Sequence, residues 1–194
     1  AAHRGRDLVS YNEDTLVQQT TADYLRDELG WQSVLAYNEE TFGPEGTLGR
    51  LSDREIVLTR YLGEALLDLN PGLPTTAYRE AIRISAERTA TQAQMLTNRD
   101  KHHQLLDGVQ VSFHNDKGEL KKQRLRVFNF DEPEKNHFLV VRELWVRRDL
   151  YRRRADIVGF VNGIPLLFME LKNLNKDIRA AYEQNFLDYK DTVP

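Results

Sequence analysis

Residues 156–172 read DIVGFVNGIPLLFMELK, and their only charges are Asp156, Glu170 and Lys172. The other fourteen of these seventeen residues are apolar, Gly, Pro or Asn, so the stretch reads as buried sheet. Asn162-Gly163 between two apolar runs predicts a β-hairpin, whose side chains alternate between two faces. A two-residue loop pairs Val161 with Ile164, sets Asp156 against Met169 and leaves Glu170 on the other face. A three-residue loop, 162–164, pairs Val161 with Pro165 and brings Asp156 opposite Glu170. The longer loop, or an equivalent bulge, is expected. Two adjacent carboxylates repel, and each is costly to bury unpaired. A cation between their oxygens removes the conflict, and hard oxygen donors with open positions suit Mg²⁺ or Mn²⁺. Glu170 and Lys172, two apart on one strand, share a face in any register. The lysine is placed to act on a water or on charge developing at phosphorus. Together these residues suit metal-assisted phosphodiester hydrolysis. The plainer reading puts Glu170 and Lys172 at the solvated end of a strand; the paired Asp and the arginines beside it weigh against that.

Those residues need a scaffold. Residues 11–29 suit a helix with Leu16, Ala22, Leu25 and Leu29 near one stripe, Asn12 as cap and Gly30 as stop. A short strand is predicted over 31–37, followed by the Gly-rich loop TFGPEGTLGR. Ser52 and Glu55 form a capping-box pattern opening a helix to Leu69, which LNPGLP stops. Two more helices are predicted over 75–89 and 94–106. From 109 the pattern turns extended: 109–114, then 119–130 after a turn, then 137–148, then the hairpin. A closing helix is predicted over 175–190. The result is an α/β (α+β) domain spanning 1–194, helix-rich over 1–107, with a catalytic sheet and closing helix over 108–194.

Composition excludes several chemistries. The 194 residues contain no cysteine, which removes disulfides, thiolate metal sites and cysteine nucleophiles. No run approaches the roughly 18 apolar residues of a membrane span, and the first residues have no signal-like apolar core; a cytoplasmic protein is expected. The net charge is −3, yet 121–126 (KKQRLR) and 147–154 (RRDLYRRR) are basic clusters. The second runs into Asp156, which makes Arg152, Arg153 and Arg154 candidates for phosphate contact. The five histidines have no metal-ligand spacing. No nucleophile elbow and no G-x-x-x-x-G-K-[ST] phosphate loop occurs.

YNEDTLVQQ, LNPGLP, NHFLVVRELWV and RRRADIVGFVNGIPLLFMELKN, spread over nearly the whole chain, resemble the N-terminal nuclease region of the restriction (R) subunit of type I restriction–modification enzymes, within the PD-(D/E)xK superfamily. The resemblance implies a restriction-endonuclease-like mixed sheet of about five strands flanked by helices. It implies that Asp156 and Glu170 hold Mg²⁺ or Mn²⁺ and that Lys172 completes the site. Ala155 replaces the usual Pro at a position that supplies no ligand. An added metal carboxylate from the first helix falls on Glu13, with Asp14 behind it; an acid there also complements the helix dipole. The family's Gln-x-x-x-Tyr element maps to Asn185 and Tyr189: at ~100° per residue Asn185 lies ~40° from Tyr189 and Gln184 ~140°. These residues are expected to contact DNA or support the site, or to form the helix's core stripe. The implied partners are double-stranded DNA and methylation and specificity subunits; ATP is expected only at a motor region elsewhere in a longer parent chain. Two alternatives stand beside this: a non-catalytic DNA-binding or subunit-docking module of the same fold, and a standalone nuclease acting on junctions or damaged ends.

Overall fold

A computed structural model describes residues 13–87, 94–147 and 151–171 of the chain. The order is α1 (Glu13–Asp27), β1 (Gln32–Leu35), α2 (Thr59–Leu69), α3 (Thr75–Ala86), α4 (Gln94–Asp107), β2 (Val109–His114), β3 (Leu120–Leu125), β4 (Phe138–Arg147), β5 (Arg152–Val161) and β6 (Ile164–Met169). The main sheet runs β1-β4-β5-β6, with β1 parallel to β4 and the other pairs antiparallel. Hairpin β2-β3 stands apart as its own two-stranded sheet. The architecture is the expected α+β, and among the described residues the main sheet has four strands where about five were expected.

The alternation of β2 explains the separate hairpin. Val109, Val111 and Phe113 turn inward onto Ala77, Tyr78 and Ala81 of α3, and the intervening residues are exposed. The hairpin therefore buries its apolar face on helices without joining the main sheet. The extended run expected to reach 130 ends at Leu125, because the Asn70 side chain captures the backbone of Arg126. Its Oδ1 accepts from Arg126 N–H at 2.8 Å and its Nδ2 donates to Arg126 O at 2.9 Å. The basic residues of β3 form a solvated face: Lys121 pairs with Glu119 and Arg124 with Asp107, all exposed.

One face of the main sheet receives α1, whose Ala22 and Leu25 pack on Val140 and Ile157. Leu29 lies beyond the helix and is exposed, so it drops out of the expected stripe. Arg142 of β4 donates to Gln19 Oε1, and Gln19 donates to Asp23 at 2.8 Å, fastening α1 to the sheet. The opposite face is covered by Ala36, Leu48 and Leu58, which pack on Leu139, Val141, Leu144, Val146, Ala155, Val158 and Phe160.

The Ser52–Glu55 pattern does not start a helix. Glu55 Oε2 accepts from Leu51 N–H at 2.9 Å, but the bonds close a turn, and α2 begins at Thr59. Tertiary anchors hold this segment out of helical register. Arg147 N–H donates to Asp53 O at 2.8 Å, and Leu58 N–H donates to Gly163 O at 2.8 Å. Buried Arg50 binds both Glu40 oxygens at 2.6 Å and also donates to Glu55 O and Trp145 O. This ion pair joins the 36–58 connection to the end of β4.

Removing one partner of a buried pair leaves the other charge uncompensated. Arg50→Ala should therefore lower stability by about 3–5 kcal/mol, read as a fall in the urea midpoint. A midpoint within error of the parent would show that the pair does not anchor the connection.

Candidate active site

The β5-β6 hairpin contains a tight turn and a bulge. Val161 pairs with Ile164, so the loop is only Asn162-Gly163. Both residues have positive φ, 49° and 78°, as a type I′ turn requires. Asn162 is buried; its N–H donates to His137 O, its Oδ1 accepts from His137 N–H at 2.7 Å, and its Nδ2 donates to Val127 O at 2.8 Å. At Gly163 a Cβ would meet Leu58 O at 2.4 Å, so glycine is required there.

A two-residue loop alone would put Asp156 opposite Met169. The register shifts instead. Phe160 pairs with Pro165 but Gly159 pairs with Leu167, leaving Leu166 as a surplus residue. Leu166 is exposed, and Gly159 leaves room beside the bulge, where a Cβ would strike Leu167 and Trp31 at 2.9 Å. Beyond the shift Ile157 pairs with Met169, so the next step sets Asp156 across from Glu170. The expected apposition arises through the bulge and not through a longer loop.

Asp156 is held in place. Its Oδ2 accepts from Leu171 N–H at 2.7 Å, a charge-assisted bond that fixes the carboxylate against the end of β6. Glu170 is half-buried, with Oε2 shielded from solvent. Two hard oxygen donors on adjacent strands fit Mg²⁺ or Mn²⁺, which bind through one or two carboxylates and complete their shells with water and phosphate. Among the described residues no group of three or more His, Asp or Glu side chains could hold a metal. Lys172, Asn185, Tyr189 and the side chain of Glu13 lie outside the described residues; the backbone of Glu13 opens α1.

The three arginines differ. Arg152 pairs with Asp53 at 2.8 Å and lies over the Trp145 ring, 4.3 Å from its centroid. Arg154 lies over Tyr37 at 5.0 Å and Trp145 at 5.9 Å, with Glu143 Oε1 3.8 Å away. Arg153 is half-buried, with Nε shielded. The aromatic and acidic neighbours were not singled out in the sequence. Glu143 had a faint signal, an acid between the apolar runs FLVV and LWV. Its φ of 54° is unusual for a non-glycine residue. Leu139 and Val141 before it, and Leu144 and Val146 after it, all join one core cluster, so the alternation of β4 advances by one residue there. Of the histidines, His137 stacks on Tyr61 at 4.8 Å and contacts Gln32. Burial pushes its pKa down.

A mixed sheet flanked by helices, with two acids apposed across neighbouring antiparallel strands, defines the restriction-endonuclease-like class of α+β folds. The family model described as type I restriction enzyme R protein N terminus matches residues 10–194, and the chain belongs to that family. It is 33% identical over 181 residues to the type I restriction enzyme HindI endonuclease subunit of Haemophilus influenzae, covering 91% of this chain. It is 24% identical over 200 residues, 96% of this chain, to a Methanocaldococcus jannaschii protein provisionally named a type I restriction enzyme MjaIXP endonuclease subunit. The matches span 17% and 18% of those relatives' lengths. No helix among the described residues is long and apolar enough to cross a membrane.

Deleting Leu166 joins Pro165 to Leu167 and lets the ladder run unbroken through the pairs on either side of the bulge. A folded Leu166-deleted chain should therefore keep the Ile157–Met169 contact, with Asp156 still across from Glu170, visible as retained cross-strand NOEs. Loss of the Ile157–Met169 contact would contradict the assignment of Leu166 as the surplus residue.

Proposed function

We propose that this chain is the DNA-cleaving region of a type I restriction enzyme R subunit, a single nuclease domain over 1–194. Its reaction is divalent-metal-dependent hydrolysis of a phosphodiester bond in double-stranded DNA. The observation that carries this reading is the register that ends at Ile157–Met169, one step from Asp156 and Glu170, together with the bond from Leu171 N–H to Asp156 Oδ2. Family membership and the relatives' names support the same assignment.

Asp156 and Glu170 supply the oxygens that hold Mg²⁺ or Mn²⁺. The bound ion contributes Lewis-acid charge at the scissile phosphate and acidifies water. The Leu171 N–H orients the Asp156 carboxylate through a charge-assisted bond. Lys172, two residues past Glu170 in sequence, acts on the attacking water or on the charge developing at phosphorus. Glu13 adds a further metal carboxylate. Arg152, Arg153 and Arg154 contact backbone phosphates, and Asn185 and Tyr189 contact DNA or support the site. Base reading belongs to a specificity subunit and methylation to its own subunit. ATP-driven translocation belongs to a motor region elsewhere in the parent chain, and the assembly works in the cytoplasm.

In the parent assembly Asp156→Ala should abolish cleavage and leave ATP-driven translocation intact; loss of both activities, or cleavage that survives, would contradict the assignment. Lys172→Ala should lower turnover with metal affinity retained, since an ammonium does not ligate a cation. A calorimetric titration in which metal affinity collapses in that variant would refute the lysine's role.

A further inference from the structure

Tyr37, Arg154, Trp145 and Arg152 alternate ring and guanidinium along one patch of the sheet. Arg154 stacks between the two rings at 5.0 and 5.9 Å, and Arg152 covers Trp145 at 4.3 Å. Two acids lie beneath, Asp53 on Arg152 and Glu143 near Arg154. The arginine side chains are 45% and 37% exposed, the acids 12% and 17%. The outer surface of the patch is therefore cationic although its charges are partly balanced from below. A guanidinium stacked on a ring uses its face and keeps its N–H donors in plane, directed outward at its edge. The rings hold the fork of donors flat and cut the entropy lost when it meets an anion. With both arginines lying over Trp145, the indole serves to orient cations rather than to stack a base.

Arg152 and Arg154 precede Asp156 on β5. Between them and the acids β5 changes face, since Ala155 packs in the cluster on one side of the sheet and Ile157 in the α1 cluster on the other. We propose that this ladder of rings and arginines is a phosphate track that grips the DNA backbone on its own face of β5, next to the stretch that carries Asp156. Arg152 and Arg154 make the contacts, and Trp145 and Tyr37 are positioning residues. The inference rests on the nuclease reading of the Asp156–Glu170 site.

The test is fluorescence-anisotropy binding of a labelled DNA duplex to the 194-residue chain without divalent ions, over about 50–200 mM salt. Arg152→Gln and Arg154→Gln should each reduce the slope of log K against log salt by about 0.9. Trp145→Leu should weaken binding, Trp145→Phe should restore it, and adding Arg152→Gln to Trp145→Leu should cost little more, because the ring acts through the arginine. Unchanged slopes in both arginine variants, fully additive losses, or no duplex binding by the parent chain would overturn the track. Circular dichroism checks folding; if Trp145→Leu does not fold, the arginine slopes decide. Asp156→Asn, assayed for cleavage in the parent assembly, separates the two ideas. Cleavage lost there while the ladder variants bind normally removes the track alone. Cleavage retained there removes the nuclease reading and leaves the slopes to be judged as binding.

Discussion

One surplus residue in β6 sets the geometry on which the site depends. The Asn162-Gly163 turn fixes the start of the hairpin, and side chains alternate strictly beyond it. An unbroken ladder from that turn would deliver Asp156 to Met169. Leu166, extra between Pro165 and Leu167, advances the pairing by one and delivers Asp156 to Glu170. Bulges of this kind re-aim side chains beside active sites. Here the local cost is one unpaired position on an edge strand, where solvent can satisfy the backbone.

The rest of the fold holds that register still. Asn162 bonds the turn to the start of β4 and to the 127 loop, and Gly163 O receives Leu58 N–H ahead of α2. At the other end of β4, Arg50 and Glu40 fasten the 36–58 connection to Trp145 O. With α1 on one face and this connection on the other, β5 is buried along most of its inner half. The face change at Glu143 lets Leu144 and Val146 stay in the core while Trp145 meets the arginines of β5. Core packing and the cationic patch are thus consequences of one irregularity shared by β4 and β5, whose pairing continues across it without a shift.

Much of this was legible in the residues. The Asn-Gly pair marked the hairpin, and the demand that two acids share a face pointed to a longer loop or an equivalent bulge; the loop is the tight one, and the bulge supplies the shift. The alternation of 109–114 and the apolar run from 138 marked strands directly. What could not be read were outcomes decided by distant partners. Ser52 and Glu55 satisfy a local helix-start pattern, but Arg50, Asp53 and Leu58 are claimed by β4, β5 and the hairpin turn. Asn70 ends β3 from 56 residues away. Trp145 meets Arg154 through the antiparallel pairing of β4 with β5, and Tyr37 joins them through the parallel pairing of β1 with β4, which no local pattern announces.

The central claim is that Asp156 and Glu170 share one divalent ion. Electron paramagnetic resonance of Mn²⁺ titrated into the chain measures this without DNA, turnover or a motor. The account predicts that Asp156→Asn and Glu170→Gln each weaken Mn²⁺ binding strongly, and that the double variant binds no worse than the weaker single one. Either single variant retaining the parent's affinity would contradict a shared ion.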